Sequence, residues 1–104
     1  MTKPKIEIPR EKLVEFCRKH HIRKLALFGS VLRDDFGPDS DVDVLVEFEP
    51  GHTPGFAFIT IQDELKAILK REVDLLTFKS IESSRNYIRR AAILSSAREV
   101  YVAR

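Results

Sequence analysis

The sequence predicts an α/β (α+β) domain, a small mixed β-sheet of three to four strands flanked by helices. Three observations predict it. Helical and strand periodicities alternate in the order helix, strand, short helix, strand, helix, strand, helix. Between Val42 and Phe48, valines recur at every second position, as in a strand. With 43% hydrophobic and 33% charged residues, the 104-residue chain can bury one core and has little left for a second module. Residues 1–104 are therefore read as a single domain, with 1–8 as an extended arm interrupted by Pro4.

Pro9 suits the first turn of a helix. Leu13, Phe16, Cys17 and His20 then recur at helical spacing, with Arg10, Glu11, Lys12, Glu15, Arg18 and Lys19 opposite. This predicts an amphipathic helix over roughly 9–21. His20 and His21 close it, where a cation is favoured. No Cys or Glu stands at an offset that would make them a metal pair. Lys24 to Phe28 is a short apolar run stopped by Gly29, a buried strand. Ser30 to Phe36 can form two helical turns, ended by Gly37-Pro38. Asp39-Ser40 lead into the strand Val42 to Phe48. Glu49 to Gly55 is a loop on composition, with His52 solvated in it.

Phe58, Ile61, Leu65 and Ile68 mark the inner face of a helix over about 56–70, weakest at Ile59-Thr60-Ile61. Glu72 to Phe78 is a third strand, in which Asp74 is the one charge after Glu72. Ser80 caps a last helix over about 81–97, with Ile88, Ala91, Ala92 and Ser95 toward the core. Glu99 to Ala103 forms a short final strand.

Several function classes are excluded or disfavoured. No apolar run approaches the ~18 residues of a membrane span, and the charged N-terminus lacks the apolar core of a secretory signal. The one cysteine, Cys17, forms no intrachain disulfide and is read as a core residue, which fits the reducing, cytoplasmic setting expected of the chain. At a net charge of +2, Lys70-Arg71, Arg85 and Arg89-Arg90 read as solvated faces, and no direct nucleic-acid binding is expected. A homodimer is compatible with the sequence. A Walker loop is excluded because no Gly-Lys-Ser/Thr follows Gly29. An EF-hand starting at Asp39 would need Gly where Val44 stands and Glu where Pro50 stands.

The chemistry concentrates between Leu25 and Phe48. A strand running through Gly29-Ser30 into a helix turns backbone N–H groups toward an anion, and Ser30 adds a hydroxyl. Alone, this is an ordinary capped turn. Asp41 and Asp43 lie two apart on a strand and so share a face, roughly 6.5–7 Å apart. Two such carboxylates must bind cations or shift their pKa values. Mg²⁺ takes oxygen ligands and leaves room for phosphate oxygens, and a carboxylate pair can bridge two ions. Asp74, alone in an apolar strand, is costly unless paired or metal-bound. If its strand lies beside 42–48, it reaches the same ion and can take a proton from an attacking hydroxyl. The alternative is a strand-end Asp with a basic partner such as Arg71. The stretch thus reads as a site for a metal-bound nucleoside triphosphate.

Together, Gly29-Ser30-Val31-Leu32-Arg33, Ser40-Asp41-Val42-Asp43 and Val73-Asp74-Leu75 resemble the polymerase-β-like nucleotidyltransferase superfamily, and within it the minimal nucleotidyltransferases. The resemblance covers about residues 10–103. Asp34 departs from it, standing where relatives often carry Gly. It implies that Asp41, Asp43 and Asp74 are catalytic and hold two Mg²⁺ ions, Asp74 on the catalytic one. Gly29, Ser30, Arg33 and Ser40 would form the nucleotide side; Arg33 contacts phosphate or supports the loop, and Ser40 is chiefly a turn residue. It also implies an in-line attack of a hydroxyl on the α-phosphorus of a nucleoside triphosphate, with ATP as the expected substrate.

The resemblance further implies a partner: some members of this group act as antitoxins that transfer AMP to a tyrosine of a HEPN-domain toxin. A chain this short, with no evident second module, agrees with an acceptor presented by a partner. Two alternatives stay open: neutralisation of the partner by binding alone, and transfer to a small-molecule hydroxyl. Tyr87 and Tyr101 are read as packing residues rather than acceptors.

Overall fold

A computed structural model of the chain describes residues 8–32, 36, 37, 39–52, 54–83 and 85–103; of Ser30 it describes the backbone alone. Arg33, Asp34 and residues 1–7 of the expected arm lie outside the described residues.

The elements follow the expected alternation as far as β3, except that of the two helical turns expected over 30–36 the described residues show one 3₁₀ turn, and residues 33–35 lie outside the described residues. Helix α1 (Arg10–Lys19) leads to strand β1 (Ile22–Phe28) and a single 3₁₀ turn (Gly29–Leu32). Strand β2 (Val42–Phe48), helix α2 (Ala57–Leu69) and strand β3 (Val73–Thr77) come next, then helices α3 (Phe78–Glu82) and α4 (Tyr87–Ser96) and strand β4 (Arg98–Val102). The sheet order is β3-β2-β1-β4. β1 is antiparallel to both β2 and β4, whereas β2 and β3 are parallel. Parallel neighbours need a crossover, and α2 supplies it.

Val42, Val44 and Val46 point to one face of the sheet. There they cluster with Leu13, Phe16 and Cys17 of α1 and with Ile61, Leu65 and Leu69 of α2. Burial raises the Cys17 thiol to about 12, which keeps it protonated, as expected of a core residue. On the opposite face Ala26, Phe28 and Leu45 meet Ile81 of α3 and Ile93 of α4 in a smaller cluster. Among the described residues no polar or charged side chain is buried.

The last third corrects the expectation of one helix over 81–97. The chain forms two helices, each with its own cap. Thr77, not Ser80, caps α3, its side chain accepting a hydrogen bond from the Ser80 N–H; Asn86 caps α4 by accepting from the Arg89 N–H. A short polar cap competes well with helix continuation, which is why the break falls there. The expected inner face is also corrected. Ile93 is the residue of α4 that is buried, whereas Ile88 is 69% exposed and Ala91, Ala92 and Ser95 are exposed. Tyr87, read as packing, is 65% exposed; Tyr101 is half-buried against the larger core.

Candidate active site

The site is built where β1 ends and β2 and β3 begin. β1 and β2 run antiparallel with Phe28 opposite Asp43, so Gly29 comes to rest beside Asp43. Gly29 has φ +73, a conformation open to glycine at little cost. A Cβ built on it would collide with the Asp43 carboxylate, at Oδ2. The Asp43 side chain therefore lies over the backbone of the turn at Gly29.

β2 and β3 then set the second relationship. In their parallel register Asp43 is paired with Asp74, and Val44 with Leu75. Val44 and Leu75 belong to the larger core, so Asp43 and Asp74 share the opposite face. Asp41 precedes Val42 at the same end. The structure thus brings Gly29, Asp41, Asp43 and Asp74 to one corner of the sheet. Beyond them the face turns apolar at fully buried Leu45.

Asp74 departs from the expectation of a buried strand charge. Asp74 is not a costly buried charge, because β3 is an edge strand and Asp74 is exposed, like Asp41; Asp43 is half-buried. Arg71 does not serve Asp74 either. Its Nη2 donates to the carbonyl oxygens of Gly37 at 2.5 Å and Ser40 at 2.9 Å, while its guanidinium lies 4.4 Å from the centre of the Phe36 ring. The Val42 N–H donates to the Glu72 carbonyl at 2.9 Å. The turn between α2 and β3 thus grips the loop that delivers Asp41 and Asp43. Ser40 closes that loop, its hydroxyl accepting from the Gly37 N–H at 3.1 Å and its own N–H donating to the Gly37 carbonyl; this is the turn role expected of it. Sequence reasoning missed the role of Arg71 because its partners are carbonyl groups far along the chain. A cavity of about 610 Å³ opens beside the same loop, lined by Asp39, Ser40, Lys66, Lys70 and Arg71 among others.

The donor set fits a hard divalent cation. All three side chains offer carboxylate oxygen, and they come from one corner of one sheet. Their oxygens do not all close to within 4.8 Å of one another; among the described residues that closeness belongs to His21, Glu49 and His52, at the other end of β1 and β2.

Residues 10–97 match the family model described as nucleotidyltransferase domain. The chain belongs to this family. Among similar nucleotidyltransferases is one of Methanocaldococcus jannaschii provisionally named a protein adenylyltransferase, 35% identical over 69% of this chain and 76% of its own. Another is the protein adenylyltransferase MntA of Thermococcus cleftensis, 37% identical over 66% of this chain and 69% of its own. Among solved structures, one provisionally described as a minimal nucleotidyltransferase superposes with a TM-score of 0.65 at 30% identity, over 85% of each chain. A complex of a tri-AMPylated HEPN toxin of Shewanella oneidensis with its minimal-nucleotidyltransferase antitoxin superposes with a TM-score of 0.59. At 18% identity over 90% of this chain and 70% of that one, it shows a shared fold. The nucleotidyltransferase domain is thus a four-stranded mixed sheet with helices on both faces. None of its described helices is long and apolar enough to cross a membrane.

Proposed function

We propose that this nucleotidyltransferase is a protein adenylyltransferase of antitoxin type. It moves AMP from ATP to a hydroxyl of a partner protein, a tyrosine of a HEPN-domain toxin. The observation that carries the reading is the side-by-side placement of Asp43 and Asp74, with Gly29 pressed against the Asp43 carboxylate. Family membership and relatives named protein adenylyltransferase support the reaction class. The AMPylated toxin in the Shewanella oneidensis complex supports the acceptor class.

In this reading Asp41 and Asp43 would hold two Mg²⁺ ions, and Asp74 would help to hold the catalytic one. Bound there, Mg²⁺ supplies charge neutralisation along the phosphates and lowers the barrier to in-line displacement. The chain's own residues do the rest. The backbone turn at Gly29-Ser30 receives the phosphates, and Arg33 and Ser40 are the further residues assigned to the nucleotide. Asp74 accepts the proton of the tyrosine hydroxyl as its oxygen bonds to the α-phosphorus. The bond from that phosphorus to the β-phosphate oxygen breaks, and pyrophosphate leaves.

Intact-mass spectrometry tests this directly. The chain is mixed with a candidate HEPN-domain partner protein, Mg²⁺ and each nucleoside triphosphate in turn. The expected result is a gain of AMP on the partner with ATP, lost in Asp43→Asn and Asp74→Asn variants whose melting curves are retained. A stable complex without mass gain would overturn the enzymatic reading in favour of neutralisation by binding. Mass gain that persists in both variants would overturn the site.

A further inference from the structure

At the end of the sheet away from the aspartates, three potential ligands converge. Ile22 opens β1 and pairs with Phe48, which closes β2, so their outer neighbours His21 and Glu49 are also adjacent. The Glu49 N–H donates to the His21 carbonyl at 2.8 Å, and the His52 N–H donates to the Glu49 carbonyl at 3.0 Å. His21 turns into β1 through φ 55. The His52 ring stacks on the His21 ring, centroids 3.8 Å apart and planes 19° apart. His21 Nδ1 lies 3.9 Å from Glu49 Oε2. One ligand atom from each residue falls within 4.8 Å of the other two. None of these groups takes part in the transfer chemistry above.

We propose that His21, Glu49 and His52 form a binding site for a divalent transition metal, Zn²⁺ foremost, independent of the aspartate site. Two imidazoles and one carboxylate are the donor set of open zinc sites. Imidazole nitrogen selects zinc and its neighbours over magnesium, which takes oxygen. Ligand atoms around one zinc at about 2.0–2.1 Å stand roughly 3.3 Å apart. The His21–Glu49 pair is already near that spacing, and both side chains are about half exposed. The strand register and the two backbone hydrogen bonds fix the three Cα positions, so side-chain torsions alone have to adjust. The Glu49 carboxylate offsets part of the ion's charge, and the remaining coordination positions face water. A bound ion would tie the start of β1 to the loop that precedes α2.

The full chain is titrated calorimetrically with Zn²⁺ in millimolar Mg²⁺, and with Co²⁺ while the visible absorption is followed. The expected result is one Zn²⁺ per chain, with visible bands for Co²⁺. Affinity falls at least ~10-fold in each of His21→Ala, His52→Ala and Glu49→Gln, and is unchanged in the Asp41→Asn/Asp43→Asn variant. Zn²⁺ raises the melting temperature of the wild-type chain but not of the histidine variants. Because the altered side chains are at the surface, melting without metal reports that each variant folds. Affinity no tighter than millimolar, equal affinity in the histidine variants, or loss in the double Asp variant would each overturn the proposal.

Discussion

Asp43 occupies the space that a side chain at position 29 would need: its carboxylate reaches over Gly29, across the junction of β1 and β2. The turn at Gly29 and the strand that carries Asp43 are therefore built against each other.

Gly29→Ala is expected to fail on two counts. An L-residue at φ +73 costs about 1–2 kcal/mol, and the new methyl pushes the Asp43 carboxylate aside. Urea unfolding should show the first cost. Transfer assays should show a loss larger than the stability change accounts for, since the acid is displaced even in the folded fraction. Full transfer in a folded Gly29→Ala chain would mean that the carboxylate is not needed where it stands.

Arg71 should matter to the aspartates it never touches. Its two bonds to the Gly37 and Ser40 carbonyls are charge-assisted, a class worth about 1.5–3 kcal/mol each. Arg71→Ala should lower the melting temperature and raise the Mg²⁺ concentration needed for half-maximal transfer. Arg71→Lys keeps the charge but lacks the planar fork and the stacking on Phe36, so it should recover stability better than Mg²⁺ affinity. A Mg²⁺ titration of the three chains separates the effects.

Acid should loosen the contact between α1 and α2. The His20 ring N–H, at 2.5 Å, and the Lys19 ammonium, at 2.9 Å, both donate to Glu64. They hold its carboxyl below the usual carboxylate range, His20 contributing most. A carboxyl lowered in the folded state stabilises at pH values above its unfolded value of about 4.3. That stabilisation is lost as pH falls from there through the lower folded value. Between pH 5 and 3, on the order of that window, the melting temperature of Glu64→Gln should fall less steeply than that of the wild type. Parallel curves would remove the contact from the acid response.

The Cys17 thiol, fully buried and raised to about 12, should resist iodoacetamide in the native chain at pH 8. It should react in urea at the rate of an ordinary thiol. Labelling followed by mass spectrometry reads this, and rapid native labelling would mean that α1 opens readily from the sheet.

What the sequence disclosed and what it hid divide along a physical line. Alternating valines between Asp41 and Phe48 report a strand with one buried face, because period two has few other causes. Asp41, Asp43 and Asp74 were legible because carboxylates at strand starts are a departure from that pattern. The stripe Ile88, Ala91, Ala92, Ser95 has helical spacing too, yet α4 presents it to solvent and buries Ile93. A short helix docks through whatever contact its neighbours offer, and the pattern on its own surface is too weak to decide. His21, Glu49 and His52 were hidden for a different reason. Their proximity is a product of strand register, and no local spacing encodes it. The grip of Arg71 on two carbonyls has no side-chain partner to search for.

The order β3-β2-β1-β4 distributes the three acids unequally. Asp43 rides an interior ribbon bonded on both flanks, and Asp74 an outer one bonded on a single flank. Val73 and Leu75 anchor the outer ribbon in the core, but it has ladder bonds on one side alone. In the proposed reading Asp74 is therefore the acid whose place depends most on what lies beside β3. Anything that lies along β3, whether ligand or protein, would lengthen the time during which all three acids stand together, and so tune the rate without touching phosphate.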